Sequence, residues 1–155
     1  MALDWPEFQE QADPRFGGSR LWEICVTPVD AADWACLLAA LPQSMWTCHF
    51  ELNGCPAPLP ARFDSAINRD NSDLLRVDVE GLKLHLHFHG ADDIAFNVSL
   101  DDLADEKAFR RLERFMAWLA DILNKPVAFG ELVVPSARDS RAYVDWVRPG
   151  AGKQA

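Results

Sequence analysis

The chain contains no CxxC pair, no run of basic residues and no apolar stretch of membrane-spanning length, and each absence removes a class of function. Without paired spacing, Cys25, Cys36, Cys48 and Cys55 match neither a zinc ribbon nor a dithiol redox motif. The stretch from Met1 to Asp13 carries Asp4, Glu7, Glu10 and Asp13 and no apolar signal-like core, so the four cysteines are expected to be reduced thiols in a cytoplasmic protein. Lys and Arg total 15 against 24 Asp and Glu, and the formal charge of −9 repels phosphate backbones. Nucleic acid is therefore not an expected partner. The longest apolar-rich stretch, Phe115 to Leu123, is too short to cross a bilayer, so no membrane association is expected.

Catalytic signatures are equally scarce. Arg148-Pro149-Gly150-Ala151-Gly152-Lys153 lacks the spacing of a phosphate loop and has no helix after it. No GxSxG elbow occurs, and Cys48 and His49, adjacent on an expected strand, would point to opposite faces. No catalytic residue, metal ligand set or cofactor is assigned from these patterns.

Apolar residues make up 49% of the 155 positions, with six Trp and nine Phe, enough to fill one core without disulfides or metal. Residues 1–148 are expected to form a single globular domain, and 149–155, rich in Gly and free of large apolar residues, a frayed tail. After an acidic arm and the Phe16-Gly17-Gly18-Ser19 turn, Trp22, Ile24 and Val26 alternate with Glu23, Cys25 and Thr27 as a strand. Asp30 then caps a helix with Trp34, Leu37, Leu38 and Leu41 on one face, ending at Pro42. A second strand carries Trp46, Cys48, Phe50 and Leu52 and stops at Asn53-Gly54. From Cys55 to Ser72, three prolines and a polar run predict a long connection.

Leu75, Val77 and Val79 alternate with Arg76, Asp78 and Glu80 before a Glu80-Gly81 turn, and a partner strand returns through Lys83-Leu84-His85-Leu86-His87-Phe88-His89. Ile94, Phe96, Val98 and Leu100 mark the next strand of a meander. Asp101 to Glu106 open a long helix with Phe109, Leu112, Phe115, Met116, Leu119, Ile122 and Leu123 on one face, stopping before Pro126. Asp101-Asp102 reads as its cap and Asp92-Asp93 as turn chemistry. Val127 to Val134 reads as a last strand, and 136–147 fits either a short helix or an edge strand. Because every strand is amphipathic, the fold class is α+β: an antiparallel sheet of about five to six strands, two helices packed on one face, the other face polar.

Three of the four histidines therefore stand in one row on the polar face. Same-face neighbours on a strand lie about 6.6 to 7 Å apart, which puts His85 and His89 about 13 Å apart, too far to share an ion bound at about 2 Å. A two-residue turn at Glu80-Gly81 sets Val79 opposite Leu82, Asp78 opposite Lys83 and Arg76 opposite His85. On the other side, Asn97 falls beside His85 and Ala95 beside His87. An arginine beside His85 disfavours a bound cation. Two metal arrangements survive that register: His89 with Asp92 or Asp93 near the turn, and His49 with Glu51 if their strand pairs with the histidine row. Charging all four histidines on acidification would move the net charge from −9 toward −5, a weak basis for a pH switch.

These residues lead to a non-enzymatic binding module, immunity- or inhibitor-like in composition, whose acidity suits a basic protein partner. Trp5, Trp118 and Trp146 fall outside the clearest buried stripes and are candidate interface aromatics, although a folded-back N-terminal arm and C-terminal segment would bury Trp5 and Trp146 instead. The alternative is a histidine- or metal-dependent enzyme or small-molecule binder using Arg76, His85, His87, His89 and Asn97 on the polar sheet face under the Cys55 to Ser72 loop. Small Ala95 and Ser99 on that face leave room for a homodimer.

Overall fold

The computed structural model describes residues 4–12, 21–63, 74–88, 91–131 and 144–150. Its elements are α1 (Trp5–Ala12), β1 (Leu21–Val26), α2 (Ala31–Ala40) with a 3-10 turn at Leu41–Gln43, β2 (Thr47–Leu52), β3 (Cys55–Pro56), β4 (Leu74–Val79), β5 (Leu82–His87), β6 (Ile94–Ser99) with a 3-10 turn at Leu100–Asp102, α3 (Glu106–Leu123), β7 (Val127–Glu131) and β8 (Val144–Val147). One antiparallel sheet runs in the order β3-β2-β4-β5-β6-β1-β7-β8. The α+β class and the one-sided packing of helices hold. The sheet is wider than expected because β3, a two-residue edge, and β8 add to it, and a third helix forms in the acidic N-terminal arm.

Alternation in the sequence becomes alternation in burial. Trp22, Ile24 and Val26 on β1, Leu75, Val77 and Val79 on β4, Leu82, Leu84 and Leu86 on β5, and Ile94, Phe96 and Val98 on β6 are all buried on one face. Against them lies the stripe Phe109, Leu112, Phe115, Met116 and Leu119 of α3. Phe8 of α1 enters the same core, stacked on Phe109 at 4.8 Å and edge-on to Trp22 at 4.9 Å.

Helix ends follow local chemistry. Asp30 and Asp33 form a capping box at α2. The cap of α3 is Asp105, whose carboxylate accepts from the Ala108 N–H at 2.9 Å. Asp101 and Asp102 instead belong to the preceding 3-10 turn, where the Ser99 hydroxyl accepts from the Asp101 N–H. The helix therefore starts a turn later than an acidic run beginning at Asp101 suggests. Asp92 and Asp93 do serve a turn: the Asp92 carbonyl accepts from Val29 N–H at 2.9 Å, and Asp93 accepts from the Thr27 hydroxyl.

Both two-residue hairpin turns have positive φ at each position, Asn53 and Gly54 joining β2 to β3 and Glu80 and Gly81 joining β4 to β5. The second strand therefore turns back at Asn53-Gly54 before the proline-rich segment begins. At the other end of the chain, 144–147 is an edge strand paired with β7, while 132–143 lie outside the described residues. The Gly150 N–H donates to the Asp121 carboxylate, which ties the chain to α3 past β8, and 151–155 lie outside the described residues.

Candidate functional site

Two surfaces carry the polar chemistry, and the sheet register builds the first. On the face away from the helices, His49 of β2 pairs with Arg76 of β4, Arg76 with His85 of β5, His85 with Asn97 of β6, and Asn97 with Glu23 of β1. Five strands thus place His49, Arg76, His85, Asn97 and Glu23 in one row across the sheet, each step about 4.8 Å. The expected pairing of Arg76, His85 and Asn97 is present. His49 and Glu23, which complete the row, were not grouped with them from the sequence. The missing signal is strand order, since β2 and β1 reach this row through long-range pairing.

Arg76 is exposed, and His49, His85 and Asn97 are half-buried. Burial and the neighbouring Arg76 guanidinium, with a smaller contribution from Lys83, push His85 below the ordinary imidazole pKa against the opposing pull of Asp102. Asp78, two positions along from Arg76, accepts from the Gly81 N–H at 2.9 Å and from Lys83 Nζ at 3.1 Å, and these bonds hold its carboxyl below the usual range. His87 pairs with Leu74 at the backbone, and His89 lies outside the described residues, as would any pairing of it with Asp92 or Asp93. His49 and Glu51 stand on β2 beside β4, one strand away from the histidine strand. Among the described residues no group of three His, Cys, Asp or Glu is arranged to hold a metal ion.

The second surface lies at the end of the sheet where β4 turns into β5. A cleft of about 300 Å³ is lined by Glu80, Gly81, Leu82, Asp101, Asp102, Ala104, Asp105, Ala108 and Arg111. The Lys83 N–H donates to Asp102 at 3.4 Å, which brings the 3-10 turn against the start of β5. Buried Leu103 anchors the same turn. Its lining holds four acidic residues and one arginine, with Asp105 also capping α3 and Glu80 also paired with Arg114. No family model, curated protein or solved structure matches this chain.

Along α3 from that cleft, Arg114 pairs with Glu80 at 2.7 Å, and Trp118 follows one turn later. Trp118 is partly buried, edge-on to Trp46 at 5.1 Å and tilted on Phe115 at 5.7 Å. Trp46 immediately precedes Thr47, which pairs with Asp78 near the Glu80 turn. Met45 beside it is 86% exposed. The Trp46 indole N–H is buried and has no acceptor among the described residues. Acidic cleft, Arg114, Trp118, Trp46 and Met45 therefore adjoin at one end of the molecule. Spacing points at Trp118, but Met45, Trp46 and the cleft escape it, because Asp101 and Asp102 resemble helix caps and Met45 sits in a loop.

The other two aromatic candidates lie elsewhere. Trp5 of α1 is partly buried, 5.3 Å from Phe109 and 5.8 Å from Phe8. Trp146 occupies the β8 position paired with Ala128. No helix among the described residues is long and apolar enough to cross a membrane.

Proposed function

We propose that this chain is a non-catalytic binding protein that captures a cationic protein at the end of the sheet, with the carboxylate cleft taking a Lys or Arg side chain and Trp118, Trp46 and Met45 forming the apolar contact. The observation that carries this reading is the cleft itself: a concave site of about 300 Å³ whose lining holds four acidic residues and one arginine. Its continuity with an exposed Met and two partly exposed Trp rings adds the composition of an interface centre, where aromatic anchors supply most of the affinity. A net charge of −9 steers a positively charged partner toward the molecule and repels an acidic one. On this reading the protein acts in the cytoplasm as an inhibitor or immunity-like binder.

The test is affinity capture from the native host, followed by reconstitution with the purified captured protein. A basic protein is expected, bound with an affinity that falls steeply with salt. The variant carrying Asp101→Asn, Asp102→Asn and Trp118→Ala should bind at least about tenfold more weakly. An acidic partner, or one held equally well by the variant, overturns the reading.

A further inference from the structure

We propose that the open face of the sheet carries a separate site for the phosphate group of a small molecule, with Arg76 at its centre and His49 and His85 on either side. The proposal is independent of the cationic-protein reading, because it uses none of the residues of the acidic cleft or of the Trp46 and Trp118 pair.

Register supplies the geometry. His49, Arg76 and His85 stand on three adjacent strands in direct pairing, so their Cα atoms span about 10 Å with the arginine in the middle. From those positions a guanidinium can donate two bonds and each imidazole one to a single group above Arg76. Among the described residues none of the three has a hydrogen bond or ion pair with another side chain. The nearest carboxylate on the arginine's own strand, Asp78, is hydrogen-bonded by the Gly81 N–H and by Lys83, so it interacts with Arg76 only through its charge and leaves the guanidinium's donors open. Three adjacent donors without acceptors, in a chain with 24 carboxylates, make a local exception to the charge of the whole.

Chemistry then selects the ligand. The arginine repels a metal ion from the two imidazoles, and the same field that lowers the proton affinity of His85 favours an anion beside it. A neutral imidazole still donates one N–H, so the site functions without histidine charging. A planar carboxylate meets the arginine fork with both oxygens, and its remaining lone pairs lie in that same plane. A tetrahedral phosphate offers three terminal oxygens and can receive the fork and an imidazole on each side. Asn97, paired with His85, places an amide at the edge of the site for the remainder of the ligand.

The experiment follows the histidine ring signals by NMR at fixed pH while inorganic phosphate is added, with acetate and chloride at matched ionic strength in parallel. Phosphate is expected to move the His49 and His85 resonances saturably in the millimolar range, whereas the other two anions produce only small, non-saturating drifts. In Arg76→Gln the apparent affinity should fall about tenfold or more, with Arg76→Lys between the two because it keeps the charge and loses the fork. Arg76 is exposed, so both variants should keep the backbone spectrum of the wild type. Equal shifts with chloride, equal saturation with acetate, or an unchanged affinity in Arg76→Gln each overturn the proposal.

Discussion

Lys125 Nζ lies 2.7 Å from Asp33 Oδ2 and 2.8 Å from the Pro28 carbonyl oxygen, joining the start of α2 to the segment that leaves α3. Asp33 also accepts from the Asp30 N–H, so one carboxylate serves both the capping box and the ion pair. Burial pushes the Asp33 carboxyl up, but the bonds from Lys125 and the Asp30 backbone outweigh it and hold the pKa below the ordinary value. A carboxylate depressed in the folded state contributes stability above its unfolded pKa and loses that contribution as the pH falls through the folded value. Lys125→Met, which keeps the stem, should therefore cost about 1 kcal/mol at neutral pH in urea unfolding. The difference from wild type should shrink as the pH falls from the ordinary Asp value of about 3.9 through the depressed folded value. A constant difference across that range would show that lost packing, not the ion pair, is responsible.

His85 should titrate below the usual value of about 6.5 in a histidine NMR experiment. Its depressed folded pKa means that its contribution to stability is complete above the unfolded pKa and is lost as the pH falls from there through the folded value. Arg76→Gln should raise the midpoint only part of the way, because burial is the larger cause. A midpoint unmoved by that substitution would remove the arginine from the electrostatics of the row.

Glu80 sits at φ 53 in a two-residue turn that Asn, Asp or Gly would occupy with less strain. Replacing it with Asn should relieve about 1 kcal/mol of backbone cost and lose the exposed pair with Arg114, worth roughly 0.2 to 1 kcal/mol. Glu80→Asn is therefore expected to leave chemical stability unchanged or slightly higher while weakening the capture of a cationic partner. A clear loss of stability with intact binding would make Glu80 a structural residue instead.

Phe8 tests whether α1 belongs to the fold. It is 2% exposed among Trp22, Phe109 and Phe129, so Phe8→Ala should cost about 3 to 5 kcal/mol in a denaturant titration, the range for a buried phenyl ring. A loss near zero would mean that the helix packs only transiently.

The β4-β5 pairing was legible because a two-residue turn fixes it and a one-residue slip would bury either Arg76 and Asp78 or Lys83 and His85. From that register followed the placement of Arg76 beside His85, and matching apolar Leu86 with Phe96 on the other side placed Asn97 there too. The rest of the row was not legible, since nothing local to Thr47–Leu52 states that it pairs with β4, or local to Leu21–Val26 that it pairs with β6 and β7. Helix α1 was missed for a related reason: one buried ring, Phe8, anchors it, too little periodicity to distinguish a helix from an acidic arm. The cleft was hidden by chemistry that serves two purposes. Aspartates near a helix start look like caps whether they cap or not, and here Asp105 caps while Asp101 and Asp102 line the hollow beside it.

Strand β1 precedes every other strand of its sheet in the chain yet occupies an interior place between β6 and β7, partners that arrive some seventy and one hundred residues later. Its edges stay unpaired throughout synthesis of the intervening chain, while the β4-β5 hairpin closes within its own fourteen residues. Completion of the sheet is thus a late, non-local event with a large loop-closure cost, which places this protein among the slower folders for its size and makes the nascent β1 edge the point most in need of protection from aggregation.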